Sequence, residues 1–218
     1  MHMAATAADI KTLRDRTGAG MLDCKKALAE SNDDMEKAID WLRAKGMAKA
    51  ASKAGRIATE GVVASYIHGG GKIGVLVEIN CETDFASQTD KFQTFVKDIS
   101  MHIAAAAPEY VRREEVSADA FEREKRIQIA RVMEEGKPQN IAEKIVEGRM
   151  SKWYEEVCLL DQKFVKDDSK SIAQLLQEAV AGIGENIQIR RFTRYVLGEG
   201  LDKKQSDFAA EVAAAAGQ

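Results

Sequence analysis

Val62-Val63-Ala64-Ser65-Tyr66-Ile67-His68-Gly69-Gly70-Gly71-Lys72-Ile73-Gly74-Val75-Leu76-Val77-Glu78-Ile79-Asn80-Cys81-Glu82-Thr83-Asp84-Phe85 is the stretch that decides the fold. It holds two runs rich in β-branched and aromatic residues. Val62, Val63, Tyr66 and Ile67 mark the first, and Ile73, Val75, Leu76, Val77 and Ile79 the second. Three consecutive glycines separate them, so the pair reads as a β-hairpin. Gly69-Gly70-Gly71-Lys72 superficially looks like a phosphate loop. It lacks the Gly-x4-Gly-Lys-Ser/Thr spacing, and a strand follows it where a phosphate loop needs a helix.

Helical periodicity surrounds this hairpin. Downstream, Phe92, Phe95, Ile99 and Ile103 recur at helical spacing from about Asp90 to Ala106, ahead of Pro108. Upstream, Ile10, Leu13 and Arg14 sit on a short helix that stops at Thr17-Gly18-Ala19-Gly20. A second helix over Met21 to Glu30 carries Leu22, Ala27 and Leu28 as its apolar residues. Ser31-Asn32-Asp33-Asp34 breaks it and caps a third, with Met35, Ala38, Ile39 and Leu42 in phase. Residues 47–60 read as a basic linker with helical tendency.

Residues 118–156 read as two helices around Gly136-Lys137-Pro138. Phe121, Ile127, Ala130 and Val132 are apolar on the first; Ile141, Ile145, Val146, Met150, Trp153 and Val157 are apolar on the second. Narrow stripes on otherwise charged helices predict an antiparallel, protruding helical hairpin that needs a partner along its seam. A helix over 170–182 follows. Ile187, Ile189, Tyr195 and Leu197 then share one parity, against Gln188, Arg190 and Arg194. They predict a third strand, although Arg191 and Phe192 break the alternation. A last helix, about 205–216, carries Phe208 and Val212. The expected class is α+β and helix-rich: a three-helix bundle over 1–55, a core over 56–200 with a small antiparallel three-stranded sheet, and a C-terminal helical module over 201–218.

Composition narrows the function. The chain has 218 residues, with 32 Lys+Arg against 35 Asp+Glu and a net charge of -3. That argues against a general phosphate-backbone binder, so no direct nucleic-acid binding is expected. No apolar run approaches the ~18 residues of a membrane span. Met1-His2-Met3 reads as a cloning scar. Cys24, Cys81 and Cys158 are far apart and odd in number, which implies a reducing, cytoplasmic compartment and neither disulfide framework nor zinc site. Two prolines in 218 residues, against a usual ~5%, tilt the chain towards helix.

Enzyme constellations are nearly absent. His68 sits at the hairpin rim, and His102 lies in a helix among apolar residues. Glu82 and Asp84, two apart, raise a paired acid/base reading, but no other titratable partner converges nearby in sequence. The segment Asn80-Cys81-Glu82-Thr83-Asp84-Phe85 is the most informative. It leaves a strand, precedes a helix, and sets a phenylalanine beside an acid. Phe85 is either a core plug with Asp84 as its cap or an exposed contact residue.

Asn80-Cys81-Glu82-Thr83-Asp84-Phe85 resembles the Asn-Cys-x-Thr-Asp-Phe signature of the bacterial elongation factor Ts family. Leu13 to Leu28 (Leu-Arg-Asp-Arg-Thr-Gly-Ala-Gly-Met-Leu-Asp-Cys-Lys-Lys-Ala-Leu) resembles the same family. So do Ile141-Ala142-Glu143-Lys144-Ile145-Val146-Glu147-Gly148-Arg149-Met150 and Asp207-Phe208-Ala209-Ala210-Glu211-Val212. The resemblance spans Ala8 to Ala214. It implies a nucleotide exchange factor for elongation factor Tu, without covalent catalysis, catalytic residue or cofactor. It implies that the first bundle is of the ubiquitin-associated type and that 118–156 is the family's coiled coil, in a short form with one core subdomain. Phe85 then wedges beneath the partner's magnesium site with Thr83 and Asp84 beside it, while Met21, Leu22 and Lys25 grip a partner helix. His68 and Val165 match further contact positions. Ala86 stands where Val is common, and Lys163 and Asp168 where relatives often have prolines.

A rival reading is a ubiquitin-associated-like adaptor fused to a dimerisation module, which leaves the Thr-Asp-Phe loop unexplained. A hydrolase using Glu82 and Asp84 is the other. A three-stranded sheet has free edges, and the hairpin stripe offers a seam, so a homodimer is expected through one of them. Cys158 would then lie close to its symmetry mate.

Overall fold

The structure, a computed structural model, describes residues 6–201 apart from Gly18. Helices α1 (Ala7–Thr17), α2 (Met21–Glu30) and α3 (Met35–Ala51) come first. Leu13, Cys24, Ala27, Leu28, Ala38 and Leu42 bury into a small core of their own. The turn before α3 takes left-handed φ at Asn32 and Asp33, two residue types that tolerate it, and the Asp34 carboxylate caps α3 by accepting from the Lys37 N–H. Helix α3 corrects the expected linker. It runs through Met47 to Ala51, because that alanine-rich stretch favours helix and buries Ala50 in the main core.

Strands β1 (Glu60–His68) and β2 (Ile73–Cys81) form the hairpin, followed by the single turn α4 (Asp84–Ser87) and by α5 (Asp90–Ala106). Thr89 caps α5 at its start, and Ala107 ends it in a left-handed conformation just before Pro108. Helices α6 (Ala118–Glu134) and α7 (Gln139–Val157) make the projecting hairpin. Then come β3 (Lys163–Phe164), β4 (Asp167–Ser171), α8 (Ile172–Ile183) and β5 (Gln188–Val196). The expected helix over 205–216 lies outside the described residues.

The main sheet is antiparallel in the order β1-β2-β5. Val62, Ala64 and Tyr66 pair with Ile79, Val77 and Val75 on the inner face. Phe92, Phe95, Val96, Ile99 and Ile103 of α5 cover that face, with Leu159, Ile172 and Val180 filling the flank. The result is an α+β fold with the helices on one side of a small sheet.

The parity expected of β5 is corrected by a bulge. Ile79 pairs with Ile189 and Glu78 with Arg191, which leaves Arg190 as an extra residue. Ile187 and Ile189 before the bulge are buried. Tyr195 and Leu197 beyond it are exposed, because the alternation has slipped by one. Glu78 secures the slip: its carboxylate takes Arg190 and Arg191 at 2.7 Å each.

The seam of the α6–α7 hairpin is closed within the chain. Val132, Ala142, Val146 and Met150 bury against one another with Phe121, Ile129, Ile145 and Trp153. Ile127 and Ile141, expected in the stripe, are partly exposed. Phe121, Trp153 and Tyr154 pack ring to ring towards the base, where the Arg113 guanidinium lies 4.8 Å over Tyr154 and bonds Asp161. Cys158 is buried there, bridged to Tyr110, and burial pushes its thiol up to about 11. It therefore does not face a second copy.

The stretch around Lys163 and Asp168 forms the β3–β4 hairpin, with Val165 and Lys166 at its tip. The buried His102 holds it. His102 Nε2 meets Gln162 Oε1 at 2.9 Å, and Nδ1 accepts from the Val165 N–H at 3.3 Å. Burial holds the imidazole below its ordinary range, so it stays neutral, as a ring that accepts at Nδ1 requires.

Gly61 carries a sharp backbone requirement. Its φ is +131°, and an added Cβ would stand 2.2 Å from the carbonyl oxygen of Ile79 across the ladder. Gly61→Ala is expected to destabilise the fold by about 2–3 kcal/mol. Urea unfolding followed by circular dichroism checks this.

Candidate functional site

Two residues separate the end of β2 from α4, and side chains tie several backbone groups of this turn. Thr83 caps α4: its Oγ1 accepts from the Ala86 N–H at 3.3 Å. The cap is Thr83, not Asp84. Ser87 Oγ donates to the Asp84 carbonyl at 2.6 Å, Thr89 Oγ1 to that of Ala86 at 2.8 Å, and Gln93 Nε2 to that of Ser87 at 2.7 Å. Ala86 and Ser87 are buried beneath.

The turn is also tied from outside. Glu185 Oε2 accepts from the N–H groups of Glu82 (3.1 Å) and Thr83 (3.0 Å), and Oε1 accepts from the Thr83 hydroxyl at 2.7 Å. In return Glu82 Oε1 accepts from the Asn186 N–H at 2.6 Å, and Arg56 stands 3.5 Å from Oε2. Asn186 Nδ2 donates to the Arg56 carbonyl at 2.7 Å, and Lys53 Nζ to that of Gly184. Glu82 is thereby engaged in structure, with no free acid pair at Glu82 and Asp84. Glu185 and Asn186 were not singled out in the sequence. Their only signal there was the Gly184 stop after α8, which places two polar residues just before β5.

What this scaffold presents is Phe85. Its side chain is 79% exposed, which rules out the core plug. Asp84 is exposed beside it. A large apolar ring on a turn held by side-chain bonds suits contact with a partner, because no described residue buries it.

The other expected site residues divide between two ends of the molecule. Met21 and Leu22, 60% and 83% exposed, open α2, with Lys25 exposed one turn on. Leu22 is thus a surface residue, not a bundle-core one. Asp23 between them takes Lys45 and Lys49 of α3 at 2.6 and 2.7 Å. Lys53 and Arg56, just past α3, reach the Glu82–Asn186 clamp, so Met21–Leu22 and Phe85 belong to the same end. His68 lies at the other end of the hairpin. It pairs with Ile73 while Glu60 pairs with Cys81, about 27 Å away at the strand rise. Its ring stacks on Tyr66, whose hydroxyl is 3.1 Å from Nδ1. Val165 is half-exposed and sits by the C-terminal half of α5. That half lies towards the His68 end, since Arg194, the partner of Val75, donates to the Ala104 carbonyl.

No helix among the described residues is long and apolar enough to cross a membrane. Nor do any three His, Cys, Asp or Glu side chains there gather into a metal-holding group. A cleft of about 590 Å³ lies beside the packing of α3 on α8; of its cations, Lys45, Lys49 and Lys170 are paired with Asp23, Asp167 and Glu178.

Two outcomes follow for the loop. Phe85→Ala is expected to leave stability within about 0.5 kcal/mol of the parent, whereas Thr83→Ala costs about 1 kcal/mol or more through the lost cap. Thermal melting separates them. The Asn186 N–H, with Arg56, also holds the Glu82 carboxyl below the usual glutamate range near 4.5. A depressed folded pKa stabilises the fold above that range, and the gain is lost as pH falls through the folded value. Glu82→Gln should therefore flatten part of the fall in melting temperature below about pH 4.5.

The model of a family described as Elongation factor TS matches residues 3–199. Elongation factor Ts of Geobacter sulfurreducens is 64% identical over 215 residues, covering 99% of this chain and all of the relative. That of Geobacter metallireducens is 65% identical over the same span, and that of Carboxydothermus hydrogenoformans 64% over 206 residues, or 94% and 95% of the two chains. The chain belongs to the elongation factor Ts family, and its place is among the translation elongation factors.

Proposed function

We propose that this chain binds elongation factor Tu in its GDP state and speeds the release of GDP, so that GTP can take its place. The observation that carries this reading is the exposed Phe85 on a turn tied by Glu185 and capped by Thr83, in a member of this family. A GTPase holds GDP through backbone N–H groups on the phosphates and a magnesium ion, and release is slow because these contacts break together. The factor prefers the nucleotide-free state. By linkage, nucleotide then weakens the factor by the same ratio. No bond to the substrate forms, so the chain acts as an exchange factor and not as an enzyme.

In this reading Phe85 wedges into the partner near its magnesium and phosphate site, with Asp84 and Thr83 orienting the wedge. Met21, Leu22 and Lys25 grip a helix of the partner at the same end. His68 and Val165 touch the partner at the far end. Residues 1–55 act as a ubiquitin-associated-like domain, 56–200 as the core with its coiled-coil hairpin, and 201–218 as a C-terminal module. The chain works in the cytoplasm.

Two copies pair in the proposed assembly. The outer face of the sheet gathers Val63, Ile67, Leu76, Tyr195 and Leu197, all exposed, with Glu78 and its arginines on one rim. The α6–α7 seam is already filled, so this face, and not the seam, is the surface that a second copy covers. A two-fold axis sets such a face against itself. Each copy then binds one elongation factor Tu.

Release of labelled GDP from elongation factor Tu tests the main reading. Phe85→Ala should slow release at saturating factor by about tenfold to a hundredfold, the equivalent of burying a ring worth about 1.5–3 kcal/mol. Met21→Asp with Leu22→Asp should instead raise the half-saturating concentration. Unchanged release in the Phe85→Ala variant would sink the wedge. Light scattering at micromolar concentration reads the assembly: the parent should give the mass of two chains, and Tyr195→Glu that of one.

A further inference from the structure

We infer that Glu185 is the positioning residue of the exchange loop, acting through Thr83 on Phe85. The inference rests on the wedge reading above.

Glu82 and Thr83 have just left β2, whose ladder ends at Cys81 opposite Glu60. Their N–H groups have no strand partner. The Glu185 carboxylate replaces that partner, taking both N–H groups on Oε2 and the Thr83 hydroxyl on Oε1. These are charge-assisted bonds, stronger and more directional than neutral ones. Glu185 can reach because α8 ends at Gly184, whose φ of +91° turns the chain back towards the loop. The neighbouring Asn186 N–H answers with a bond to Glu82, so residues 82–83 and 185–186 hold each other in both directions.

Phe85 cannot orient itself, since most of its side chain is left uncovered by the described residues. Its direction is inherited from the backbone of α4, in which Asp84 and Phe85 are the first two residues. That backbone is set by Thr83. One Thr83 oxygen both caps α4 and donates to Glu185. Glu185 therefore fixes the direction of a wedge it does not touch. A small misdirection of a group that must act at one place is costly in rate, whereas the Met21–Leu22 grip does not depend on it.

The test measures GDP release from elongation factor Tu with the full-length factor. Glu185→Ala should lower the saturated release rate about tenfold while the half-saturating concentration moves little. Glu185→Gln keeps one acceptor for the two N–H groups but loses the charge, and should fall between Glu185→Ala and the parent. Hydrogen exchange at the Glu82 and Thr83 amides should quicken in both variants. The deciding comparison is the double variant. If Glu185 acts through Phe85, then Phe85→Ala with Glu185→Ala is no slower than Phe85→Ala alone. Multiplying effects, or an unchanged rate in Glu185→Ala and Glu185→Gln, would overturn the assignment and leave the wedge standing. A normal rate in Phe85→Ala would overturn both. If Glu185→Ala fails to fold, the same comparisons are read on Glu185→Gln.

Discussion

The fold depends on one packing event, the burial of the α5 stripe against the inner face of the β1–β2–β5 sheet. Phe92, Ile99 and Ile103 are fully buried there, as are Ile79 and Ile189, with Val77 close behind. Each such side chain contributes about 1.5–3 kcal/mol, so this layer carries much of the apolar free energy of the core. It also fixes geometry. With α5 seated, the connection from β2 must be short, and the chain has only residues 82–89 in which to turn. The turn lies at the sheet's end, where Ala86 and Ser87 take the inward places and Phe85 faces out. The exposed Phe85 is a consequence of that constraint as much as of its own sequence.

Much of this was legible in the chain. The glycine-flanked hairpin, the helix over 90–106 and the helical pair over 118–156 all carry strong periodic signals, because each has one face that must be buried. The failures have specific causes. The basic stretch after Gly46 looks like a linker by charge, yet Ala50 finds a place in the core and carries α3 on to Ala51. Tyr195 and Leu197 share parity with Ile189, but parity has meaning only within an unbroken ladder, and Arg190 breaks it. The β3–β4 hairpin offers almost no apolar pattern. It is pinned by Phe164, buried in the main core, and by a buried histidine on a distant helix that accepts its backbone N–H.

The candidate site divides in the same way. Asn80–Phe85 could be picked out in the sequence, because an aromatic in a polar exit loop is unusual. Whether Phe85 faced in or out could not, since that depends on where the turn's hydrogen bonds go. Thr83, Ser87, Thr89 and Gln93 supply the local bonds, but the rest come from Glu185 and Asn186, about a hundred residues downstream. Local sequence holds no record of a partner that distant. His68 and Val165 show the converse: both fall on the surface, yet the antiparallel register sends His68 to the opposite end of the hairpin from Phe85.

The balance of forces at the loop suits its proposed work. A phenylalanine left in water forgoes the stability that burial would bring, so some other interaction must keep the loop from folding over its own ring. Here that task falls to polar bonds, which are directional and do not weaken when the ring leaves solvent for a partner. A floppy loop carrying the same ring would also bind, but ordering it on contact would reduce affinity for every state of the partner alike. Exchange depends on a difference between states, and an ordering cost common to both adds nothing to that difference. A loop already held in place leaves the ring's contact energy to distinguish a nucleotide-free site from a filled one. In the proposed role, the carboxylate on the far side of Thr83 matters through what it prevents: rotation of a ring that is mostly uncovered by the described residues.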